Sequence, residues 1–212
     1  MASVVSLTLN EAGYVVEQSS RAINRAVDRG VIKATFQRRG KSRLRKVGAA
    51  ELRFLAIAGE VARKLTPAGR REVYEAIRRL PTDAHHVELG VMAFQLGEVD
   101  RRIAVRLQRL RDVKALIDER ADAEPVLRDT EVSVYEIEAL ARGQTAAEII
   151  ADYPALTAEQ VEAAVEYAKV YPKTGRPLPV RSFKRMLSDM AEAGVWDVEI
   201  DGGEPVAPRL IP

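Results

Sequence analysis

Thr8-Leu9-Asn10-Glu11-Ala12-Gly13-Tyr14-Val15-Val16-Glu17-Gln18-Ser19-Ser20-Arg21-Ala22-Ile23-Asn24-Arg25-Ala26-Val27-Asp28-Arg29-Gly30 contains two helix starts and one helix stop. Thr8-x-x-Glu11 is a capping box, in which hydroxyl and carboxylate each satisfy a backbone N–H that a helix start leaves unpaired. Ala12, Val15 and Val16 supply that helix with an apolar face. Ser19 or Ser20 caps a second helix whose apolar side is Ala22, Ile23, Ala26 and Val27. Gly30 stands where a C-terminal cap glycine ends such a helix. About two residues separate the helices, which suits the sharp turn of a helix-turn-helix.

The polar side of the second helix holds Arg21, Asn24, Arg25 and Asp28, and Ser20 and Arg29 join the candidate DNA contacts. Arginine pairs bidentately with guanine and asparagine with adenine, so Arg21, Asn24 and Arg25 form a candidate base-reading face. Asp28 is expected to pair with Arg25 or Arg29. Downstream, 31–37 and 43–47 flank the basic turn Arg38-Arg39-Gly40-Lys41-Ser42 and predict a β-hairpin, the wing of a winged helix. Lys33, Arg38, Arg39, Lys41, Arg43 and Arg45 are the candidate phosphate or minor-groove contacts. A solvated basic face is the plainer alternative. Capping, turn length, hairpin and charge agree on DNA binding.

A helix over 49–65 is apolar on several sides (Leu52, Phe54, Leu55, Ile57, Val61), which suggests burial against another subunit or domain. Thr66-Pro67 opens the next helix, which runs to Pro81. Residues 85–96 have poor helical periodicity and a central glycine, and are expected to form a strand. Ile103, Leu107, Leu110, Val113 and Ile117 mark a long helix. Then Ser133-x-x-Glu136, Thr145-x-x-Glu148 and Thr157-x-x-Gln160 are three capping boxes in succession, predicting a trihelical unit. After a joint at Pro172, Pro177 and Pro179, Phe183, Leu187 and Met190 define one face of a last helix, and Arg181, Lys184 and Arg185 its basic edge. Trp196, Val198 and Ile200 alternate with acidic residues, as in a short strand.

Composition narrows the function classes. The 212 residues hold no cysteine, which excludes disulfides and thiolate zinc sites. No run of 18 apolar residues occurs and the start lacks the pattern of a signal peptide, so a cytoplasmic location without a membrane span is expected. The net charge of +2 conceals a division. Residues 1–50 carry ten Lys/Arg against three Asp/Glu, whereas 121–170 carry three against eleven. Such a split suggests two surfaces with different partners. His85-His86, near Asp83 and Glu88, is the one candidate metal cluster, but adjacent strand residues point to opposite sides. No metal, cofactor or catalytic constellation is expected, and the chain does not read as an enzyme.

Two stretches resemble known families. Leu9-Asn10-Glu11-Ala12 through Gly30, with its basic hairpin, resembles the winged helix-turn-helix of MerR-like regulators and excisionases. Residues 123–170 resemble the bacterial family called domain of unknown function four-three-three, through Pro125, Val126, Thr130, Val134, Gly143, Ile149 and, most specifically, Asp152-Tyr153-Pro154-Ala155-Leu156-Thr157. Ala123 and Asp129 stand where that pattern usually has glycine, and Glu131 where it has arginine. Together the two stretches resemble a VapB-type antitoxin, which implies a PIN-domain (VapC-type) ribonuclease toxin as partner, a magnesium enzyme with clustered carboxylates.

The expected fold is therefore mainly α, a winged helix-turn-helix followed by a trihelical unit with a few short strands. Its expected divisions are 1–65 for DNA, 66–121 for connection and dimerisation, 122–171 for the trihelical antitoxin-type unit, and 172–212 for toxin binding. In that last segment Arg181, Phe183, Lys184, Arg185, Leu187, Met190 and Trp196 are the candidate contacts. The helix could instead pack at home, leaving the trihelical unit to hold the toxin. The expected function is neutralisation of the toxin and repression of its own operator DNA as a homodimer. The alternatives are a transcription regulator without a toxin, or a metal-dependent hydrolase using His85 and His86.

Overall fold

The computed structural model describes residues 5–39, 42–81, 83–90, 92–120, 123–175, 178 and 183–192. These residues are mainly helical, with a few short strands, and among them no helix is long and apolar enough to cross a membrane. Strand β1 (Leu7–Thr8) leads into α1 (Leu9–Val16). Thr8 caps α1, and the Thr8–Glu11 capping box is formed in both directions. Helix α2 (Ser20–Asp28) starts at Ser19, whose side chain accepts from the Ala22 N–H. Between them Glu17 adopts a left-handed φ of 56°, and the Gln18 N–H returns to the Gly13 carbonyl at 2.9 Å. A β-carbon at Gly13 would lie 2.5 Å from the Gln18 carbonyl oxygen, so this turn requires glycine there. Gly30, at φ 66°, ends α2.

Strands β2 (Thr35–Arg39) and β3 (Ser42–Val47) form the expected basic hairpin, and β1 adds to β3 to give the order β1-β3-β2. Next come α3 (Ala49–Lys64) and α4 (Pro67–Arg79). The apolar circumference of α3 is covered within the chain. Leu52, Phe54, Leu55, Ile57 and Val61 are buried in a core shared with α1, α2 and α4, so this helix gives no argument for a second subunit. Residues 85–96 are not one strand but a hairpin, β4 (His86–Leu89) and β5 (Met92–Gln95), because Gly90 turns the chain at φ 59°. Val87, Leu89 and Phe94 join the same core.

Helix α5 (Gly97–Ala115) spans two cores. Val99, Ile103 and Leu110 belong to the N-terminal core and Val113 to a second, which holds β6 (Ile117–Asp118), β7 (Val126–Leu127), α6 (Val134–Leu140), α7 (Ala146–Asp152) and α8 (Ala158–Val170). The capping boxes of α7 and α8 form as expected. The Ser133–Glu136 box does not. Ser133 makes no cap bond, its hydroxyl donating to Glu124 at 2.9 Å, and Glu136 accepts from the Tyr153 phenol. At the positions that depart from the family pattern, Asp129 holds a left-handed φ of 62°, and Glu131 receives both arms of Arg120 at 3.0 and 2.9 Å. The last element is α9 (Phe183–Glu192). Trp196 and the strand expected around it lie outside the described residues, as do Lys41 and Arg181.

The two cores are locked together at one carboxylate. Glu11 Oε2 accepts from the Thr8 N–H and hydroxyl at 2.8 and 2.9 Å. Its Oε1 accepts from the Tyr171 phenol, just past α8, and from Lys114 of α5 at 3.4 Å. Burial pushes the Glu11 carboxyl up, but these donors outweigh it and hold it below the ordinary glutamate range. Burial and the same contact push the Tyr171 phenol up. A depressed carboxylate contributes stability that is present above its unfolded value and lost as pH falls through its folded value. Glu11→Gln keeps the shape and the cap but not the charge. The variant is expected to unfold about 1–3 kcal/mol more easily at neutral pH. That deficit should shrink as pH drops below the roughly 4.3 of a free glutamate, as read by urea unfolding across pH.

Candidate nucleic-acid interface

Helix α2 hides Ile23 completely and half-buries Ala26 and Val27, which turns Arg21, Arg25 and Arg29 to solvent. All three expected arginines thus share an open face, with Ser20 half-exposed at its start. The hairpin stands beside this helix. Its register is Phe36↔Arg45, Arg38↔Arg43 and Arg39↔Ser42. Cross-strand partners share a face and alternate residues keep it, so Phe36, Arg38, Arg43 and Arg45 lie on one side of the hairpin. That side is turned toward α2, because Arg45 Nη1 reaches Asn24 Oδ1 at 2.6 Å and Asp28 Oδ1 at 2.5 Å. Asp28 therefore pairs with Arg45 of the hairpin, and not with Arg25 or Arg29. The correction follows from a contact across seventeen residues that helical spacing does not reveal.

Asn24 has both ends of its amide engaged, the oxygen by Arg45 and the nitrogen by Asp28 at 3.3 Å. A bidentate bond to adenine would require this clasp to open. Lys33 is exposed and pairs with Glu75 at 3.4 Å. Arg39 is described as a strand position by its backbone alone. Arg38 and Arg43 face each other directly, an arrangement that like charges disfavour in an isolated hairpin. The Arg43 guanidinium lies 5.0 Å from the centre of the Phe36 ring, which is 55% exposed. Phe36 is apolar and belongs to none of the basic contacts expected of the hairpin. Its signal was parity, since the ring has the same alternation as Arg38.

Both ends of the hairpin are fixed to the helices beneath. The Lys33 N–H donates to the Tyr74 hydroxyl at 2.8 Å, that hydroxyl donates to Glu51 Oε1 at 2.7 Å, and Glu51 Oε2 accepts the Gly48 N–H at 2.9 Å. Burial first, then the bond to Glu51, pushes the Tyr74 phenol well up, so it stays a neutral donor. The strand ends cannot shift without breaking a half-buried chain of hydrogen bonds. Such a support holds surface side chains in register for a ligand.

The three-helix unit presents a different surface. Glu159 and Glu162 are exposed on α8, and Glu166 takes Arg109 at 2.6 Å. Glu162 also lies 3.8 Å from the Arg109 guanidinium. On α9 every described side chain, 186 to 192, is exposed, including Met186 (42%), Leu187 (40%) and Met190 (37%). Phe183, Lys184 and Arg185 are described there as helix positions only. His85 lies 3.6 Å from Asp100, which Arg53 holds with two bonds, and His86 lies 3.9 Å from Glu88. Among the described residues no three His, Asp or Glu side chains gather as a metal site requires.

Comparison with known proteins adds two findings. Residues 118–168 match the family described as "Protein of unknown function (DUF433)", so the three-helix unit, with β7 and the second residue of β6, is similar to that family and is called the DUF433 unit below. Over 210 residues the chain is 27% identical to "Uncharacterized protein y4eO" of Sinorhizobium fredii (strain NBRC 101917 / NGR234), covering 89% of each chain. No solved structure matches.

The Arg45 clasp generates a prediction. If duplex DNA lies on this face, Arg45→Ala leaves the Asp28 carboxylate held by Asn24 alone beside the phosphate backbone. Affinity for all duplexes should fall alike, and the dependence of binding on salt should become shallower. Asp28→Asn in the Arg45→Ala background should recover part of the loss. Fluorescence anisotropy on matched and scrambled duplexes over a salt series measures both effects.

Proposed function

We propose that the N-terminal unit is a winged helix-turn-helix of the MerR and excisionase kind, that it reads duplex DNA, and that the whole chain is an antitoxin. In this reading α2 lies in the major groove, Arg21 and Arg25 meet base edges, and the hairpin arginines hold phosphates. The observation that carries it is the shared face of Arg38, Arg43 and Arg45 turned toward α2. Directly opposed arginines cost stability in the free protein and are compensated when a polyanion lies between hairpin and helix.

The remaining chain fits a protein partner. The DUF433 unit is acidic outside, so DNA is left to the N-terminal unit. The exposed face of α9 supports docking there, over the alternative that this helix packs at home. The partner proposed is a PIN-domain ribonuclease of the VapC type, whose carboxylate cluster would accept Arg181 or Arg185. Neutralising that toxin and repressing its own operator as a homodimer are the two halves of one role.

A separation-of-function experiment tests this. Arg25→Ala should lose operator binding, by about 1–3 kcal/mol on the specific site, yet still rescue growth from a neighbouring PIN-domain ribonuclease. Leu187→Asp with Met190→Asp should keep operator binding and fail to rescue. Rescue by both variants would move the neutralising surface to the DUF433 unit. Failure of the unaltered chain to rescue would leave a DNA-binding regulator without a toxin.

A further inference from the structure

Phe36 is a large apolar ring held open to solvent on the most basic strand pair of the chain. A lone exposed apolar side chain is ordinary. Its surroundings are not. Its cross-strand partner is Arg45, which grips the α2 residues Asn24 and Asp28. The ring therefore sits at the base of the hairpin, next to the reading helix, while Arg38 and Arg43 lie farther toward the tip. The Arg43 guanidinium lies over the ring at 5.0 Å and places a positive charge above it.

Resting on the DNA-binding reading above, we propose that Phe36 is a specificity-determining residue whose ring packs on the C5-methyl group of a thymine in the groove that α2 occupies. The argument is one of matching chemistry. A phenyl ring offers no hydrogen bond, so it is indifferent to the donors and acceptors of the base edges. The major groove shows one apolar group, the thymine methyl, and apolar side chains recognise it. Placement next to α2 puts the ring over the groove of the helix and not over the minor groove beyond the hairpin tip. Arg43, stacked above, is then positioned to take the phosphate flanking that thymine. The ring and its guanidinium act as one element, apolar toward the base and cationic toward the backbone.

The test needs no assumed operator. Duplexes are selected from a randomised pool with the full-length chain, and each thymine of the winning sequence is replaced in turn by deoxyuridine, which removes only the methyl group. One thymine per half-site should weaken binding by about fourfold when so replaced, the effect of one buried methyl. Phe36→Ala should bind the thymine duplex more weakly by at least that factor and be indifferent to deoxyuridine there. Phe36→Leu should keep part of the methyl dependence. The deoxyuridine series uses the unaltered protein, so it stands even if a variant folds poorly. Selection of a sequence with no methyl dependence at any position would overturn the role of the ring and leave the DNA reading standing. A pool in which the chain enriches nothing would remove both.

Discussion

One half-buried carboxylate sets where α2 stands. Glu11 lies at the third position of α1, where it accepts the Thr8 N–H and hydroxyl on one oxygen. The other oxygen takes the Tyr171 phenol and the Lys114 ammonium. The first pair of bonds is local and fixes how α1 begins. The second pair joins residues 103 and 160 positions away and fixes α1 against α5 and the end of α8. From α1 the constraint passes through the Gly13–Gln18 turn to α2, and from α2 through Asp28 and Asn24 to Arg45 and the hairpin. Bonds to a charged group carry about twice the weight of neutral ones, and their partners here are half-buried. The candidate interface thus inherits its orientation from a group that never faces a ligand.

Glu51 repeats the device under the hairpin. It caps α3 through the Gly48 N–H and, with its second oxygen, receives the Tyr74 phenol that holds Lys33. In both places a helix-capping carboxylate has a spare oxygen, and a tyrosine fills it. The tyrosines are pushed up in pKa by burial and by the carboxylates they serve, so they remain donors. Each arrangement turns a local start signal into a tertiary lock. The DUF433 unit has a related pair, Tyr153 on Glu136, but there the carboxylate makes no capping box with Ser133.

Local signals were legible in the sequence and distant ones were not. Thr8, Ser19, Thr66, Thr145 and Thr157 all cap the helices that their spacing announced, because capping is decided within four residues. Asp152-Tyr153-Pro154 located the DUF433 unit for a similar reason. The β4–β5 hairpin was hidden because its strands are four residues each, too short for alternation to separate one strand from two. Helix α3 carries apolar residues on several sides, a pattern that shows burial without naming what covers it. Asp28 chose Arg45 over its helical neighbours because a hairpin arginine meets two acceptors at once. The open face of Arg21, Arg25 and Arg29 followed from helical period alone. The ring of Phe36 needed the strand register.

Helix α9 is already wound although no described side chain of it is buried. Ordering a residue costs roughly 1–2 kcal/mol of backbone entropy. A segment that winds only on docking meets that cost at the moment of association, out of its own contact energy. A segment wound beforehand does not. The partner proposed for Met186, Leu187 and Met190 would meet less of that cost, and the gain would be felt in how slowly the two come apart.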